Sequence, residues 1–290
     1  MNTTDFSEVK SFALDTDYQI PNKAIDFFNQ DGVICLRNAF NPSWLQIIES
    51  GIKQALNGSS TNIDIIQRKQ DTGTFSVSSG AWMNVGPFRQ FIFDSHIADI
   101  AQALLQSQQL VLFYDFLLIK QAFSNSASTP WHQDHSYYPL DGKMAINCWV
   151  ALDDIPIESA LRFMQSSHQS GMLYRAIDFD SPDNDYQHAR KELPLPPNSN
   201  DTDFPTNILC TAVKAGDMLA WTSYTLHSAP GNQLDHRRAA FSVNWLGDDI
   251  TYNGKPSLDT YRDPSQVTGQ HIICDKFPLL RSKQGKILSK

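Results

Sequence analysis

The chain has 290 residues, 41% of them hydrophobic, which is enough for one large core but leaves little room for a second full domain. Its net charge is −8 with a pI near 5.4, and its lysines and arginines are scattered, so no basic stripe exists to neutralise a nucleic-acid backbone. No apolar run approaches the roughly 18 residues of a membrane span, so the composition favours a small-molecule partner over nucleic acid or a membrane.

Helical signals dominate the first third of the chain. Pro21 is placed to begin a helix that Asp31 and Gly32 end, and Asn41 is a good cap for a second helix. A later stretch rich in Asn, Ser, Thr and Gly has no clear periodicity, which predicts irregular structure. The predicted elements are a flexible arm over 1–20, a helix over 21–31, a strand over 33–36, a helix over 42–56, an irregular stretch over 57–80 and a helix over 88–105.

The rest of the chain is a series of β-rich runs bounded by turn residues. Helices followed by a strand series are typical of an α+β, mainly β enzyme with an antiparallel barrel or jelly-roll core, here one domain over residues 21–290. The polar segment 166–205 is too long for a hairpin, and it is either a lid over a site or a plain surface excursion. The predicted strands are 110–121, 131–138, 145–152, 161–164, 207–213, 218–226 and 238–246.

Three residues have the chemistry of a metal site. His132 and Asp134 are two apart, and on a strand over 131–138 both side chains would point to one face. His227 follows another strand-like run and would supply the third ligand. Two imidazoles and one carboxylate that leave coordination positions open form the facial triad of non-haem Fe(II) oxygenases. A His-x-Asp pair alone is weak evidence, so the assignment depends on the residues around it.

An arginine pair follows His227, and strand parity chooses between its members. Arg238 shares a face with Ala240, Ser242 and Asn244, which are small or polar, whereas the face of Arg237 is otherwise apolar. A guanidinium inside a barrel is costly unless it meets an anion, and a carboxylate is its natural bidentate partner. Arg238 is therefore the predicted clamp for an acidic co-substrate; the alternative is an arginine paired with a buried Asp or Glu.

Two further residues extend this site. Trp149 and Asn147 alternate with apolar residues, which places an aromatic wall and an amide on one face of their strand. Lys120 ends an apolar strand just before the loop that leads to His132. Ordinary core packing for Trp149 and a solvated strand end for Lys120 are equally good interpretations.

The string Trp131-His132-Gln133-Asp134-His135, then the Trp149 to Asp154 segment, Leu161-Arg162-Phe163, and His227 with Asn232 and Arg238, resembles the phytanoyl-CoA dioxygenase family. The resemblance extends to the opening strand near Val33 and covers roughly residues 22 to 250. It implies a double-stranded β-helix, the cupin-like jelly roll, that uses Fe(II), 2-oxoglutarate and O2. The implied iron ligands are His132, Asp134 and His227; Arg238 would bind 2-oxoglutarate, with Lys120, Trp149 and Ser228 as neighbours.

The carboxylate of Asp134 bears on the type of reaction. Family relatives that halogenate have a small residue in its place, which opens a position for a halide, so Asp134 favours hydroxylation over halogenation. Desaturation and epimerisation, which begin with the same activated iron, stay open as alternatives. Two alternatives from other classes stay open. One is a cupin-like protein that binds a metal or a small carboxylate without turnover, and the other is a zinc hydrolase, for which His135 or Asp115 would be the general base.

The substrate is not specified by the sequence. Tyr137 and Trp82 are candidate substrate contacts, although ordinary core packing explains them as well. A coenzyme A thioester needs several cations for its phosphates. Only Arg190 and Lys191 lie together in the candidate lid, which argues against an acyl-CoA. The sequence does not indicate an oligomeric state.

The cysteines indicate the compartment. Cys35, Cys148, Cys210 and Cys274 are far apart, lack metal-type spacing, and include members of apolar runs, as reduced core thiols do. The N-terminal residues are polar and acidic, without the charged and apolar blocks of a secretory signal. We therefore expect a reducing, cytoplasmic location.

Overall fold

The computed structural model describes residues 6–14, 18–59, 63–66, 71–179, 184–199, 201–202, 204–282 and 285–286. Within these residues the α-helices are α1 (Asn22–Asp31), α2 (Pro42–Gln54), α3 (Gly86–Asp94) and α4 (Ile97–Leu105). The strands are β1 (Ser7–Glu8), β2 (Ser11–Ala13), β3 (Val33–Arg37), β4 (Ile63–Ile66), β5 (Phe75–Ser79), β6 (Leu110–Lys120), β7 (Thr129–His132), β8 (Leu140–Asp141), β9 (Ala145–Ala151), β10 (Arg162–Met164), β11 (Ile208–Cys210), β12 (Met218–Thr222), β13 (His227–Ala229), β14 (Arg238–Leu246), β15 (Thr251–Tyr252), β16 (Leu279–Ser282) and β17 (Gly285–Lys286).

Local sequence signals set the helix ends. The Asn41 side chain accepts hydrogen bonds from the first backbone N–H groups of α2, and α1 ends at Gly32, whose φ of 82° favours glycine. The single helix predicted over 88–105 is wrong, because Ser95 has extended backbone and separates α3 from α4. Its hydroxyl accepts from the N–H of Ile97 and so begins the second helix. None of the helices in the described ranges is long and apolar enough to cross a membrane.

Two sheets form the core of the fold. The smaller has the order β1-β11-β10-β13-β7, and the larger has the order β17-β16-β6-β14-β9-β12-β3-β2, with β5 pairing β6 and β4 pairing β5. The pairs are antiparallel except β1 with β11 and β2 with β3. This is the predicted double-stranded β-helix with helices added at its N-terminal side.

Alternation along β9 divides the interior into two layers. Ile146, Cys148 and Val150 pack towards the helices, in the largest apolar cluster, whereas Trp149 packs between the sheets. Strand β14 divides its residues in the same way, with Phe241 towards the helices. The helices therefore cover the outer face of the larger sheet, and the inner face is left for a site.

The prediction of irregular structure over 57–80 is wrong for β4 and β5. In β5 the buried side chains are Ser76 and Ser78, and Phe75 and Val77 are only half-buried. The hydrophobic alternation that identifies a strand is therefore inverted, because the apolar face of β5 lines a cavity instead of packing in the core.

Part of the predicted N-terminal arm is held in the fold. Strand β1 pairs with β11 of the smaller sheet, and β2 pairs with β3 of the larger sheet. Val9, between them, is buried. Residues 1–5 and 15–17 of the arm lie outside the described residues.

Candidate metal centre and cavity

The three predicted metal ligands meet where the smaller sheet ends. His132 is the last residue of β7 and His227 is the first of β13, and the two are paired in register. The strand predicted over 131–138 is wrong beyond His132, since residues Asp134 to Tyr137 form a 3-10 turn. Gln133, which lies between His132 and Asp134, has extended backbone, with φ −116° and ψ 134°. The expected alternation therefore still brings His132 and Asp134 to the same side.

The ligand atoms of the triad converge. Each imidazole Nε2 lies 3.6 Å from Oδ1 of Asp134, and the three atoms lie within 4.8 Å of one another. The Nδ1 atoms of His132 and His227 lie 2.9 Å from the carbonyl oxygens of Pro130 and Thr225. A carbonyl oxygen only accepts, so each Nδ1 carries a proton, and in the neutral imidazole this tautomer turns the lone pair of Nε2 towards the centre.

The protonation states of the triad also suit a cation. Burial alone would raise the pKa of Asp134, but His227, His132 and the N–H of Trp221 together hold it below its ordinary value. That N–H donates to Oδ2 at 3.1 Å, which leaves Oδ1 for the centre. Burial, together with His132, lowers the pKa of His227 to about 4. A carboxylate and neutral imidazoles are the forms that bind a metal, and two nitrogens with one oxygen suit Fe(II).

The triad opens into a cavity of about 840 Å³. Lining residues come from both sheets, from the loop before α3, and from the segment that follows β10. All the residues predicted for an iron and 2-oxoglutarate site line this one cavity: Trp82, Lys120, His132, Asp134, Tyr137, Trp149, His227, Ser228 and Arg238. His135 and Asp115, the candidate general bases of a zinc hydrolase, are not among its lining residues.

Arg238 lies at one end of the cavity, at the start of β14. Its side chain is buried, and its Nε has no hydrogen-bond partner among the described residues. Burial lowers its pKa to about 10, so it remains charged at neutral pH. Arg237, on the opposite face, forms ion pairs with Glu49 and Asp153. The arginine with protein carboxylate partners is therefore Arg237, and Arg238 is the one that faces the cavity.

Lys120 lies opposite Arg238 in the pairing of β6 with β14. Its Nζ donates to the carbonyl oxygen of Pro230 at 3.0 Å and lies 5.4 Å from the centre of the Phe75 ring. Two cationic side chains thus lie together at the same end of the cavity. This pairing provides a strong local field for a carboxylate.

Asn232 is a positioning residue that the sequence reasoning did not assign. Its side chain is fully buried, and its Nδ2 lies 2.8 to 3.1 Å from the carbonyl oxygens of Lys120, Gln121 and His236. It therefore ties the end of β6 to the turn before β14. The signal available in the sequence was its place, between His227 and Arg238, in the string that resembles the family.

The candidate lid forms one wall of the cavity. Ile177 and Phe179 line it, and the Tyr137 hydroxyl donates to the carbonyl oxygen of Ile177 at 2.9 Å. The Ile177 N–H in turn donates to the same hydroxyl at 3.2 Å. The part of the segment around Ile177 therefore contributes side chains to the cavity; residues 180–183, 200 and 203 lie outside the described residues.

Comparisons with known proteins agree with this architecture. The family model described as Phytanoyl-CoA dioxygenase (PhyH) matches residues 28–240. A protein of Arabidopsis thaliana named phytanoyl-CoA dioxygenase is 22% identical over 169 residues, which are 56% of this chain and 53% of that protein. The chain thus spans about half the length of the curated relative that it matches.

Solved structures share the fold at low identity. The non-haem alpha-ketoglutarate-dependent carbocyclase SnoK from nogalamycin biosynthesis is 20% identical, with a TM-score of 0.70 over 92% of this chain and 98% of that one. The epimerase SnoN, in complex with Fe3+, alpha-ketoglutarate and nogalamycin RO, is 22% identical, with a TM-score of 0.67 over 90% and 98%. EvdO2 from Micromonospora carbonacea var. aurantiaca, complexed with 2-oxoglutarate, is 19% identical, with a TM-score of 0.58 over 84% and 98%.

Proposed function

Because this chain belongs to the phytanoyl-CoA dioxygenase family of Fe(II)- and 2-oxoglutarate-dependent oxygenases, we propose that it hydroxylates an aliphatic C–H of a small molecule. One oxygen atom of O2 enters the new hydroxyl group, and the other enters the succinate formed when 2-oxoglutarate loses CO2. The observation that carries the proposal is the placement of Arg238 and the triad in one cavity.

The roles follow from the side chains. His132, Asp134 and His227 would hold Fe(II), and the bound iron, with 2-oxoglutarate as the electron donor, would activate O2 to break a C–H bond. Arg238 would bind the distal carboxylate of 2-oxoglutarate in bidentate fashion, with Lys120 strengthening the field. Trp149 and Ser228 would border the co-substrate, since both line the same cavity.

The reaction outcome is the finer part of the proposal. Relatives of this fold include proteins named as a carbocyclase and an epimerase, so the fold does not fix the outcome. Asp134 is retained, and its carboxylate occupies the place that a halide needs in halogenating relatives. Hydroxylation requires no reactant beyond O2 and 2-oxoglutarate. Desaturation, which requires none either, is the alternative outcome, whereas an epimerisation would also need a reductant.

Replacing Asp134 with Asn tests the proposal. The amide keeps the shape of the side chain but removes its charge, so we expect succinate production to fall to background under O2. Anaerobic addition of Fe(II) and 2-oxoglutarate to the native chain should give a weak visible band near about 500 nm, which the variant should lack. Succinate production at the native level by Asp134→Asn would contradict the assignment.

The alternative to the proposed oxygenase is a protein that binds a metal or a small carboxylate without catalysing a reaction. Such a protein would bind 2-oxoglutarate but release no succinate under O2 with any compound. Screening amino acids, organic acids, phosphonates and specialised metabolites for succinate release above background would identify the substrate. The cytoplasm remains the proposed compartment, in keeping with four free thiols.

A further inference from the structure

We call the part of the cavity that is lined by aromatic rings outside the triad the aromatic chamber. Its rings come from separate parts of the chain: Trp82, Tyr114, Phe116, Tyr137, Phe179 and Tyr261. We infer that this chamber binds a ring-bearing substrate that carries no anionic group. The inference rests on the proposed function, because it names the substrate class of that site.

The arrangement of aromatic rings near the triad favours a planar ligand. Phe179 lies 4.6 Å from the His132 ring at an interplanar angle of 65°, and Tyr137 lies 5.5 Å from Phe179 at 63°. Rings that meet edge to face do not cover each other's faces, and those faces can stack on a planar ligand. Phe179 is also 36% exposed, an unusual position for a large apolar side chain unless it contacts a ligand or a partner.

The charged residues that line the cavity oppose a second anionic ligand. Lys120 and Arg238 lie together at the co-substrate end, and the third lining cation, Lys276, already donates to the carbonyl oxygen of Arg262 at 2.8 Å. Apart from the metal ligand, the lining acids are Asp64, Asp178 and Asp259. These three cations and three acids balance, but 2-oxoglutarate bound at Lys120 and Arg238 would leave Lys276 as the remaining lining cation among the described residues, against three acids. Binding of a second anionic group, such as a phosphate, sulfate or coenzyme A, would then be opposed.

Two neutral tyrosine hydroxyls can orient a ligand by hydrogen bonds. The hydroxyls of Tyr114 and Tyr138 are 2.8 Å apart, and the Tyr138 hydroxyl donates to Oδ1 of Asn244 at 3.4 Å. Burial raises the pKa of both tyrosines well above the ordinary value, so both hydroxyls stay protonated. Neutral hydroxyls can exchange hydrogen bonds with a hydroxyl or carbonyl oxygen on a ring, which gives orientation without requiring charge.

Calorimetry with three probes tests the inference. The protein is loaded with Mn(II) and 2-oxoglutarate without O2 and titrated with 7-hydroxyflavone, with its phosphate ester, and with 1-dodecanol. We expect the flavone to bind at least tenfold more tightly than either other probe, which is about 1.4 kcal/mol. Flavone binding should also quench tryptophan emission, since Trp82, Trp149 and Trp221 line the cavity. Equal or tighter binding of the phosphate ester or of the alkanol overturns the inference, as does no binding of any probe.

A pair of matched variants locates the binding. Phe179→Leu removes a ring from the chamber, whereas Phe123→Leu removes a similarly exposed ring that does not line the cavity. We expect about five- to tenfold weaker flavone binding for the first and no change for the second, with thermal midpoints close to that of the native chain. Equal flavone affinity in both variants would place the binding elsewhere and overturn the inference.

Succinate release without added substrate separates this inference from the proposed function. If Fe(II), 2-oxoglutarate and O2 give succinate but the flavone does not bind, only the substrate class is wrong. If the flavone binds and the variants behave as expected but no succinate forms with any compound, the proposed function is wrong and the chamber still binds rings.

Discussion

Each triad ligand is oriented by a hydrogen bond on the side of its side chain that faces away from the centre. The two imidazoles use backbone carbonyl oxygens, and Asp134 uses the indole N–H of Trp221. Such outer partners fix tautomer and rotamer before any ion arrives, which lowers the entropy lost on binding. Trp221 is therefore the residue at which orientation of the carboxylate can be tested without changing a ligand.

Trp221→Phe should weaken metal binding by about 10- to 100-fold. The ring is kept in part, but Oδ2 of Asp134 loses its donor and the carboxylate can turn. Mn(II) affinity measured by electron paramagnetic resonance is the readout. Trp245→Phe is the matched control, because Trp245 is fully buried behind the larger sheet and its N–H has no partner among the described residues. Equal losses in the two variants would show that packing alone is responsible.

Arg238→Gln should raise the KM for 2-oxoglutarate by about 100-fold, close to 3 kcal/mol. The amide retains hydrogen-bonding capacity but not the charge or the two parallel donors. Arg237→Gln is the control on the adjacent residue. It leaves Glu49 and Asp153 without their partner and should lower stability, but its KM should stay within about twofold of the native value. A larger effect from Arg237→Gln would mean that the face assignment is reversed.

At the scale of strands, the sequence predicts best where one face meets the core and the other meets the cavity. Alternation in β9 and β14 correctly separated Trp149 from Cys148 and Arg238 from Arg237. It failed at β5, whose buried residues are serines and whose apolar residues line the cavity. Hydrophobic alternation distinguishes side chains that face the core from those that face solvent. It does not identify side chains that face an internal cavity.

The metal ligands and Arg238 were predictable from the types of residue, from strand parity and from the family resemblance, but the way in which distant segments combine around them was not. The aromatic chamber draws Trp82, Phe179 and Tyr261 from segments far apart in the chain, and no local pattern relates them. The position of Asp134 in a 3-10 turn was likewise not evident, although extended Gln133 preserved the geometry that a strand would give. Tertiary contacts, which a local pattern cannot report, decide both features.

Asp115 on β6 should make the fold lose stability as the pH rises. It is fully buried, and it accepts a hydrogen bond from the Trp82 N–H at 3.2 Å. Burial raises the pKa of Asp115 to about 7, above its value in the unfolded chain. Its contribution to the free energy of unfolding is therefore greatest below about pH 4, where the carboxyl group is protonated in both states, and is lost as the pH rises to about 7.

Asp115→Asn removes this titration. We expect the variant to gain about 3 kcal/mol relative to the native chain between pH 5 and pH 8, measured from urea unfolding at each pH. Comparing the two proteins at each pH cancels the other carboxylates, several of which have the opposite sign. A difference that does not grow with pH would show that Asp115 is already charged at pH 5.

Tyr137→Phe should loosen the segment that follows β10. The hydroxyl holds Ile177 through both its carbonyl oxygen and its N–H, so one substitution removes both hydrogen bonds. Hydrogen exchange should rise at least tenfold for backbone amides near Ile177. Amides of β9 and β14 provide the internal control and should not change. Unaltered exchange near Ile177 would show that other contacts hold the segment.

The whole molecule divides the proposed chemistry between its two sheets. The smaller sheet carries His132 and His227, and the larger sheet carries Lys120 and Arg238. A metal would therefore bind one side of the cavity, and a co-substrate bound to both that metal and Arg238 would link the two sheets. Binding should be coupled to the stability of the whole fold, because the unfolded chain has no such arrangement.

Thermal unfolding with Mn(II) and 2-oxoglutarate tests this coupling. At ligand concentrations about 100 times Kd, we expect roughly 2.7 kcal/mol of stabilisation, which for a chain of this size is a rise of about 5 °C or more in Tm. Chelation by EDTA should reverse the rise. In the Arg238→Gln variant, the rise in Tm caused by Mn(II) should persist, whereas the further rise in Tm caused by 2-oxoglutarate should be lost. Retention of both increments would mean that 2-oxoglutarate binds without joining the two sheets through Arg238.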